Sequence, residues 1–426
     1  MKLLVLLALA FAYCPFFVGQ SYTSYFTGNP IDSITVPTGG SCLMGGATES
    51  DDAMRWFLER ANGGDVLVLR ASGSDGYNTY LYSDLGISVN SVETIVCNDP
   101  TCADEYYIQQ KIEQAEAIWF AGGDQWDYIS YWRNTAIDSL INLAINERNI
   151  VIGGTSAGMA ILGRNYFSAE NGTVTSATAL ANPFAATMTI DSTAFLHTPF
   201  LEEVVTDTHY DSPDRKGRHA TFLARLSTWG IDAKGIACDE YTAVCIPPNG
   251  IASVYGNYPT DDDNAYFIQR NCLLSNPNPE NCSANTPLTW NHNGEALVVY
   301  AIKGTTTGAN TFDLNDWETG VGGTWNYWSI NTGVLSEAAG NQPDCGALTV
   351  NELNATIQLY PNPTTGDFSI VSTIPVKTIC VRNTLSEVLL VETNPHVISI
   401  ASLPVGIYLV ECVTELGTTV QRIIKE

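Results

Sequence analysis

The sequence predicts an α/β protein, a doubly wound and mostly parallel sheet with a nucleophile elbow, joined to a small all-β sandwich. Three observations carry this. Four short apolar runs alternate with helix-like segments between Ser41 and Ile150–Gly153. The fourth run enters the turn Gly154-Thr155-Ser156-Ala157-Gly158. Beyond about residue 350 the pattern changes to closely spaced alternating strands, the signature of a small sandwich. Apolar strands linked by helical crossovers are buried on both faces, so they read as continuous hydrophobic runs.

In chain order, Lys2, the apolar run Leu3 to Val18 and the exit Gly19-Gln20-Ser21 form a signal peptide over residues 1–20. Ser41 to Met44 opens the sheet and leads through Gly45-Gly46 into the amphipathic stretch Asp51 to Ala61. Val66 to Leu69 is a strand ending in Ala71-Ser72-Gly73, and Val92 to Cys97 is another, followed by a helix over Asp104 to Ala115. Ala117 to Phe120 ends in Ala121-Gly122-Gly123-Asp124-Gln125, and Trp126 to Glu147 reads as one long helix. Glu203 to Thr206, Gly235 to Asp239, Thr242 to Ile246, Ile251 to Tyr255 and Ala296 to Ala301 are shorter strands that extend the same sheet. Gly, Asn, Pro and Asp gather near Ser336 to Val350, giving a catalytic domain over 21–336, a linker over 337–350 and a C-terminal domain over 351–426.

A net charge of -26 excludes nucleic acid and anionic membrane surfaces as partners, because nothing offsets the repulsion. With 45% hydrophobic residues the chain can bury a sizeable core. Of 11 cysteines, Cys14 leaves with the leader. The rest meet an oxidising compartment, where Cys97–Cys102 and Cys272–Cys282 bracket turns and read as local disulfides, and Cys380 and Cys412 form a third candidate pair. Pairing of Cys42, Cys238, Cys245 and Cys345 does not follow from spacing. No cysteine has zinc-site spacing with a histidine, and the cluster Asp207, His209, Asp211 and Asp214 lacks a second histidine, so neither metal nor cofactor is expected.

In a doubly wound sheet the ligand lies outside the carboxyl ends of the strands. Gly45-Gly46, Ser72-Gly73, Gly122 to Gln125 and Thr155 to Ala157 all fall on that edge. Ser156 sits at a sharp strand-to-helix corner, where glycines are needed because side chains would collide. A serine nucleophile needs a base, and the base an orienting acid. Among five histidines, His396 lies in the tail and His292 in an Asn-rich loop. His197 reads as a packing residue and His219 as a surface or structural one. His209 follows an apolar strand at the edge that carries Ser156, so it is the expected base. Glu170, between the two in sequence, is the candidate acid, and Asp207 is expected to brace the loop or contact substrate. Gly123 and Ala157 are candidate oxyanion donors, since tandem glycines free their N–H groups and a helix start supplies another. Gln125 is suited to a substrate carbonyl or amide. Arg215 and Arg218 suit a carboxylate-recognising rim.

Leu43-Met44-Gly45-Gly46, Phe120 to Gln125, Gly154 to Gly158, Asp207-Thr208-His209 and Gly235 to Ala243 together resemble the cyanophycinase and aspartyl-dipeptidase family of serine peptidases, over roughly Ser41 to Trp317. The resemblance implies a glutaminase-like fold and a serine that attacks peptide bonds made by aspartate. It implies Ser156 as nucleophile, His209 as base, Glu170 as acid, Gly123 and Ala157 as oxyanion hole, and Gln125, Arg215 and Arg218 as substrate ligands. The chain departs from the family at Thr208, where glutamine is usual, and in a stretched Tyr210 to Arg218 segment. Both belong to the substrate rim. Tyr360-Pro361-Asn362-Pro363, Gly406-Ile407-Tyr408 and the basic-apolar last strand resemble the sorting domain of type IX secretion substrates. That resemblance implies passage across the outer membrane and a secreted or cell-surface location, with the type IX machinery as partner. The expected function is a secreted serine exopeptidase acting on β-aspartyl or α-aspartyl peptides. The alternatives are an α/β-hydrolase esterase and a surface binding protein without turnover. A homodimer is compatible with the sequence.

Overall fold

The computed structural model describes residues 20–193, 195–345, 357–372, 375–383, 388–393, 397–414 and 417–426. The leader, apart from Gln20, and His396 lie outside the described residues. The chain divides into two compact units, one ending at Pro343 and the other spanning Asp344–Glu426.

The first unit opens with β1 (Tyr22–Gly28), β2 (Gly40–Met44), α1 (Asp51–Arg60), β3 (Asp65–Arg70), β4 (Ser91–Cys97), α2 (Tyr106–Gln114) and β5 (Ala117–Phe120). It continues with α3 (Gln125–Trp132), α4 (Ala136–Asn146), β6 (Val151–Thr155) and the short α5 (Ala157–Ala160). β4, β3, β5, β6 and β2 lie side by side, each neighbouring pair parallel. Alternation along a strand explains why both faces are covered. Val66 and Val68 join α1 residues Met54, Phe57 and Leu58 in one core. Leu67 and Leu69 join Ile108, Ile112, Tyr128, Trp132, Ile137 and Ile141 from α2, α3 and α4 in the other. Each such side chain contributes roughly 1.5–3 kcal/mol by leaving water, so a single polar substitution at Leu67 or Val68 would damage one whole layer.

Where one long helix was expected over Trp126 to Glu147, α3 ends before Arg133 and α4 starts after Thr135. The break falls at Asn134, whose φ of 61° lies in the left-handed region that asparagine tolerates. The two helices therefore follow the curve of the sheet separately.

The second half adds β7 (Tyr166–Phe167), α6 (Ser176–Ala181), β8 (Ile190–Asp191), β9 (Val204–Asp207), α7 (Lys216–Thr228), β10 (Lys234–Cys238), β11 (Ala243–Ile246), β12 (Ile251–Tyr255) and β13 (Asn264–Arg270). Then come β14 (Leu297–Lys303), β15 (Asn310–Asp313), β16 (Gly320–Val321), β17 (Gly323–Asn331) and β18 (Val334–Ala339). These strands do not all extend one sheet. β11, β12, β15 and β16 continue the first in antiparallel fashion beyond β2, with β1 on the far edge, making ten strands. β9, β10, β13, β14, β17 and β18 form a second sheet of six. Only β9 and β10 pair in parallel there, which sends both of their carboxyl ends to one edge. β18 also means that the expected linker over 337–350 begins inside a strand.

The second unit holds β19 (Gln358–Tyr360), β20 (Asp367–Val371), β21 (Val376–Arg382), β22 (Val388–Thr393), β23 (Val397–Ser399), β24 (Gly406–Thr414) and β25 (Gly417–Lys425). A three-stranded and a four-stranded antiparallel sheet share one core that includes Leu359, Phe368, Ile379, Ile398, Tyr408 and Ile423.

The cysteines correct two expectations. Cys97 and Cys102 are bonded, but Cys282 is a free thiol, while Cys272 and Cys345 are both disulfide-bonded. Cys380 and Cys412 are free as well. In the β21–β24 register Cys412 faces Ile379 and Cys380 faces Glu411. Successive side chains leave opposite faces of a strand, so the two sulfurs lie on different sides of the sheet.

Candidate active site

The site forms where β6 turns into α5. Ser156 has φ 53° and ψ -117°, a conformation that a side-chain-bearing residue adopts only under local strain of roughly 1–3 kcal/mol. The turn is this tight because glycine stands two residues away on either side, at 154 and 158. A Cβ on Gly154 would come within 2.5 Å of the Gly158 backbone, and one on Gly158 would collide with the Phe120 carbonyl. The strain thrusts the serine hydroxyl out of the sheet edge.

The loop after β2 gathers the other groups. Ser156 donates its backbone N–H to the Met44 carbonyl at 3.1 Å, His209 to the Gly45 carbonyl at 2.8 Å, and Tyr241 to the Gly46 carbonyl at 3.2 Å. Three consecutive carbonyls thus tie down the ends of β6, β9 and β10. The imidazole of His209 lies flat against Gly46, where any Cβ would overlap the ring. His209 itself has φ 46°, a second strained non-glycine residue at the site.

His209 Nε2 lies 2.8 Å from Ser156 Oγ, and its Nδ1 lies 2.6 Å from Glu240 Oε1. Nδ1–H donates to the carboxylate, which leaves Nε2 as acceptor for the serine hydroxyl. The carboxylate against the histidine is therefore Glu240, not Glu170. Glu170 is exposed and stands on the loop after β7, where its backbone N–H donates to Ser168 Oγ. Glu240 follows β10, and the parallel β9–β10 pair brings it to the edge where His209 follows β9. Its backbone N–H donates to Asp211 Oδ1 at 3.1 Å, which fixes the turn that presents it.

An open cavity of about 620 Å³ adjoins the serine, lined among others by Gly123, Gln125, Ala157, Thr206, Arg215 and Arg218. Gln125 donates Nε2–H to the Phe167 carbonyl at 3.3 Å. Asp207 is buried and takes two hydrogen bonds from Arg218, one of them Nε–H to Oδ2 at 2.8 Å. Burial alone would push the Asp207 carboxyl up, but the adjacent Arg218 charge reverses this and holds it below its ordinary range. Arg218 also donates Nη1–H to Thr173 Oγ1 and the Val174 carbonyl. It forms the neutralised floor of the cavity rather than a free rim charge. Arg215 differs, since Nη1–H donates to the Thr208 carbonyl at 3.0 Å while its buried Nε has no protein acceptor. Burial and then the neighbouring Arg218 charge lower the Arg215 guanidinium from its ordinary value, against the opposing pull of Asp207, Glu240 and Asp211.

The other histidines separate cleanly. His219 is buried, with Nε2–H donating to the Val205 carbonyl at 3.1 Å and Nδ1 3.2 Å from the Tyr210 hydroxyl. Burial lowers its pKa, so it stays neutral and structural. His197 is exposed and paired with Glu202 at 3.0 Å, a correction to the packing role expected for it. The Asp207, Asp211 and Asp214 carboxylates each serve a different donor: Arg218, the Glu240 N–H and the Lys216 N–H.

A strained serine, an imidazole and a half-buried carboxylate in this order define an α/β serine hydrolase. Residues 67–252 match Peptidase family S51, and residues 358–426 match the Secretion system C-terminal sorting domain. Among curated proteins, the cyanophycinase of Trichormus variabilis is 22% identical over 257 residues, 58% of this chain and 78% of that protein. The cyanophycinase of Synechococcus elongatus is 24% identical over 205 residues, 47% of this chain and 59% of that protein. The crystal structure of a peptidase from an acI-B1 Actinobacterium is 17% identical, with a TM-score of 0.40, covering 52% of this chain and 89% of that one. The chain thus carries an S51 serine peptidase domain related to cyanophycinase, fused to a type IX secretion sorting domain that assigns it to the secreted or cell-surface proteins.

Proposed function

We propose that the protein is a secreted serine exopeptidase that hydrolyses aspartyl peptides, of β-Asp-Arg-like or α-Asp linkage, through an acyl-enzyme on Ser156. The observation that carries this reading is the 2.8 Å contact of Ser156 Oγ with His209 Nε2, in one cavity that Arg215 and Gln125 also line.

In this mechanism His209 takes the Ser156 proton as Oγ attacks the scissile carbonyl, and Glu240 stabilises the imidazolium that results. The oxyanion is received by the N–H groups of Gly123 and Ala157. His209 then gives its proton to the leaving amine, and water repeats the sequence to release the acid. Arg215 holds the substrate carboxylate and Gln125 a carbonyl or amide, while Asp207 and Arg218 keep the floor rigid. Peptide or polypeptide ends carrying aspartyl groups are the partners this site suits, and the type IX machinery is the partner of the C-terminal domain.

The test is covalent capture by a fluorophosphonate, lost in Ser156→Ala, followed by a dipeptide panel with normal and isoaspartyl linkages. Aspartyl dipeptides should be cleaved at least tenfold faster than their asparaginyl counterparts, the discrimination expected when a buried cation must be paired. Equal rates for the two sets would remove the aspartyl assignment.

A further inference from the structure

We propose that Tyr128 is a positioning residue that holds the Gly122–Gly123 peptide with its N–H turned to the reacting centre. The inference rests on the serine-peptidase reading above and names what keeps its oxyanion site formed. Tyr128 lies on the first turn of α3, fully buried, with its ring stacked on Trp132 at 4.8 Å between centroids. Its hydroxyl points back at the loop that starts the helix, its one proton shared between the Ala121 carbonyl at 2.8 Å and the Gly122 carbonyl at 3.2 Å.

In a trans peptide the carbonyl and the following N–H point opposite ways. A Gly122 carbonyl held by Tyr128 therefore turns the Gly123 N–H to the other side of the loop. That side is the active site: a Cβ on Gly122 would lie 3.6 Å from Ser156 Cβ, whereas one on Gly123 would lie 3.2 Å from Tyr128 Oη. The loop is a thin layer between the tyrosine oxygen and the serine. The Gly123 N–H donates to no acceptor among the described residues, as a group kept for a ligand should. Two adjacent glycines give this peptide little intrinsic preference of its own. Asp124 caps α3 through the Trp126 N–H at 2.9 Å, which fixes the helix but not the peptide plane before it.

Tyr128→Phe keeps the ring, its burial and the Trp132 stack, and deletes only the hydroxyl. The readout is phosphonylation of Ser156 by a fluorophosphonate: Oγ–P forms, P–F breaks, the serine proton passes to His209, and the phosphoryl oxygen occupies the oxyanion site. The first-order inactivation constant should fall about tenfold to a hundredfold, part of the loss seen when an oxyanion donor is removed. The inhibitor's reversible binding constant should stay close to wild type, and the melting temperature should fall only by what one lost buried hydrogen bond costs. Tyr128→Met, which also fills the space without a hydroxyl, should repeat the split. Wild-type inactivation by both variants, or a rate loss that tracks weaker binding and lower melting, would overturn the proposal. If wild-type protein is not labelled at Ser156, the peptidase reading itself falls and the inference falls with it.

Discussion

At the scale of single residues, the carboxylate beside His209 is Glu240, where the sequence points to Glu170. Glu240 touches His209 at 2.6 Å, whereas Glu170 is exposed on a loop. Glu240→Gln should lower kcat by about 10³–10⁴, the loss expected when the orienting carboxylate becomes an amide and the histidine tautomer is no longer fixed. Glu170→Gln should leave kcat within about twofold, since nothing it touches reacts. Steady-state rates on one aspartyl dipeptide decide between them. Arg215 gives a second contrast. Arg215→Met should raise KM for a substrate carrying a carboxylate by about tenfold or more, with kcat changed far less, because the lost interaction is present in ground and transition states alike. A fall in kcat at constant KM would instead make Arg215 part of the chemistry.

Between residues and the whole lies the strand end, and there the sequence was legible in part. Ser156, Gly123 and His209 could be read because each follows an apolar run that closes on a turn, and parallel strands deliver such turns to one edge. Glu240 obeys the same rule, following the run Gly235 to Asp239. Sequence order points to an acid between nucleophile and base, whereas pairing of β9 with β10 ignores that order. The role of Gly45-Gly46 as a hub could not be read, since backbone carbonyls carry no sequence signature. Nor could the second sheet, because an antiparallel strand that joins either sheet has the same alternation. Arg218 looked like a free cation for want of its partner, and the buried Asp207–Arg218 pair now makes a prediction of its own. Asp207→Asn leaves Arg218 buried without its counter-charge, so stability should fall by about 3–5 kcal/mol. The sign with pH follows from the lowered Asp207 carboxyl: its contribution is complete above the ordinary carboxylate range and is lost as pH falls through the folded-state value. The difference between wild type and Asp207→Asn in urea midpoints should therefore shrink in acid.

For the molecule as a whole, with its charge of -26, the carboxyls behind the site set the other side of the pH profile. Asp239 is 3% exposed at the end of β10, next to Glu240. Its Oδ2 accepts the Asn264 N–H at 2.8 Å, while Oδ1 is buried without a partner. Burial, together with the nearby Asp211 and Asp263 charges, raises its carboxyl to about 7. A raised acid binds its proton in the folded chain after the unfolded chain has lost it. Its contribution to stability therefore declines as pH rises from the ordinary value of 3.8 to about 7, and then levels off. Asp239→Asn retains an oxygen for Asn264 and has no charge to bury. Relative to wild type it should gain stability across that interval, reaching on the order of 2–4 kcal/mol above neutrality. Melting curves at pH 4, 6 and 8 test this: the two proteins should differ least at pH 4 and most at pH 8. A constant offset would mean that Asp239 is ionised throughout and that an acceptor for Oδ1 is supplied by solvent.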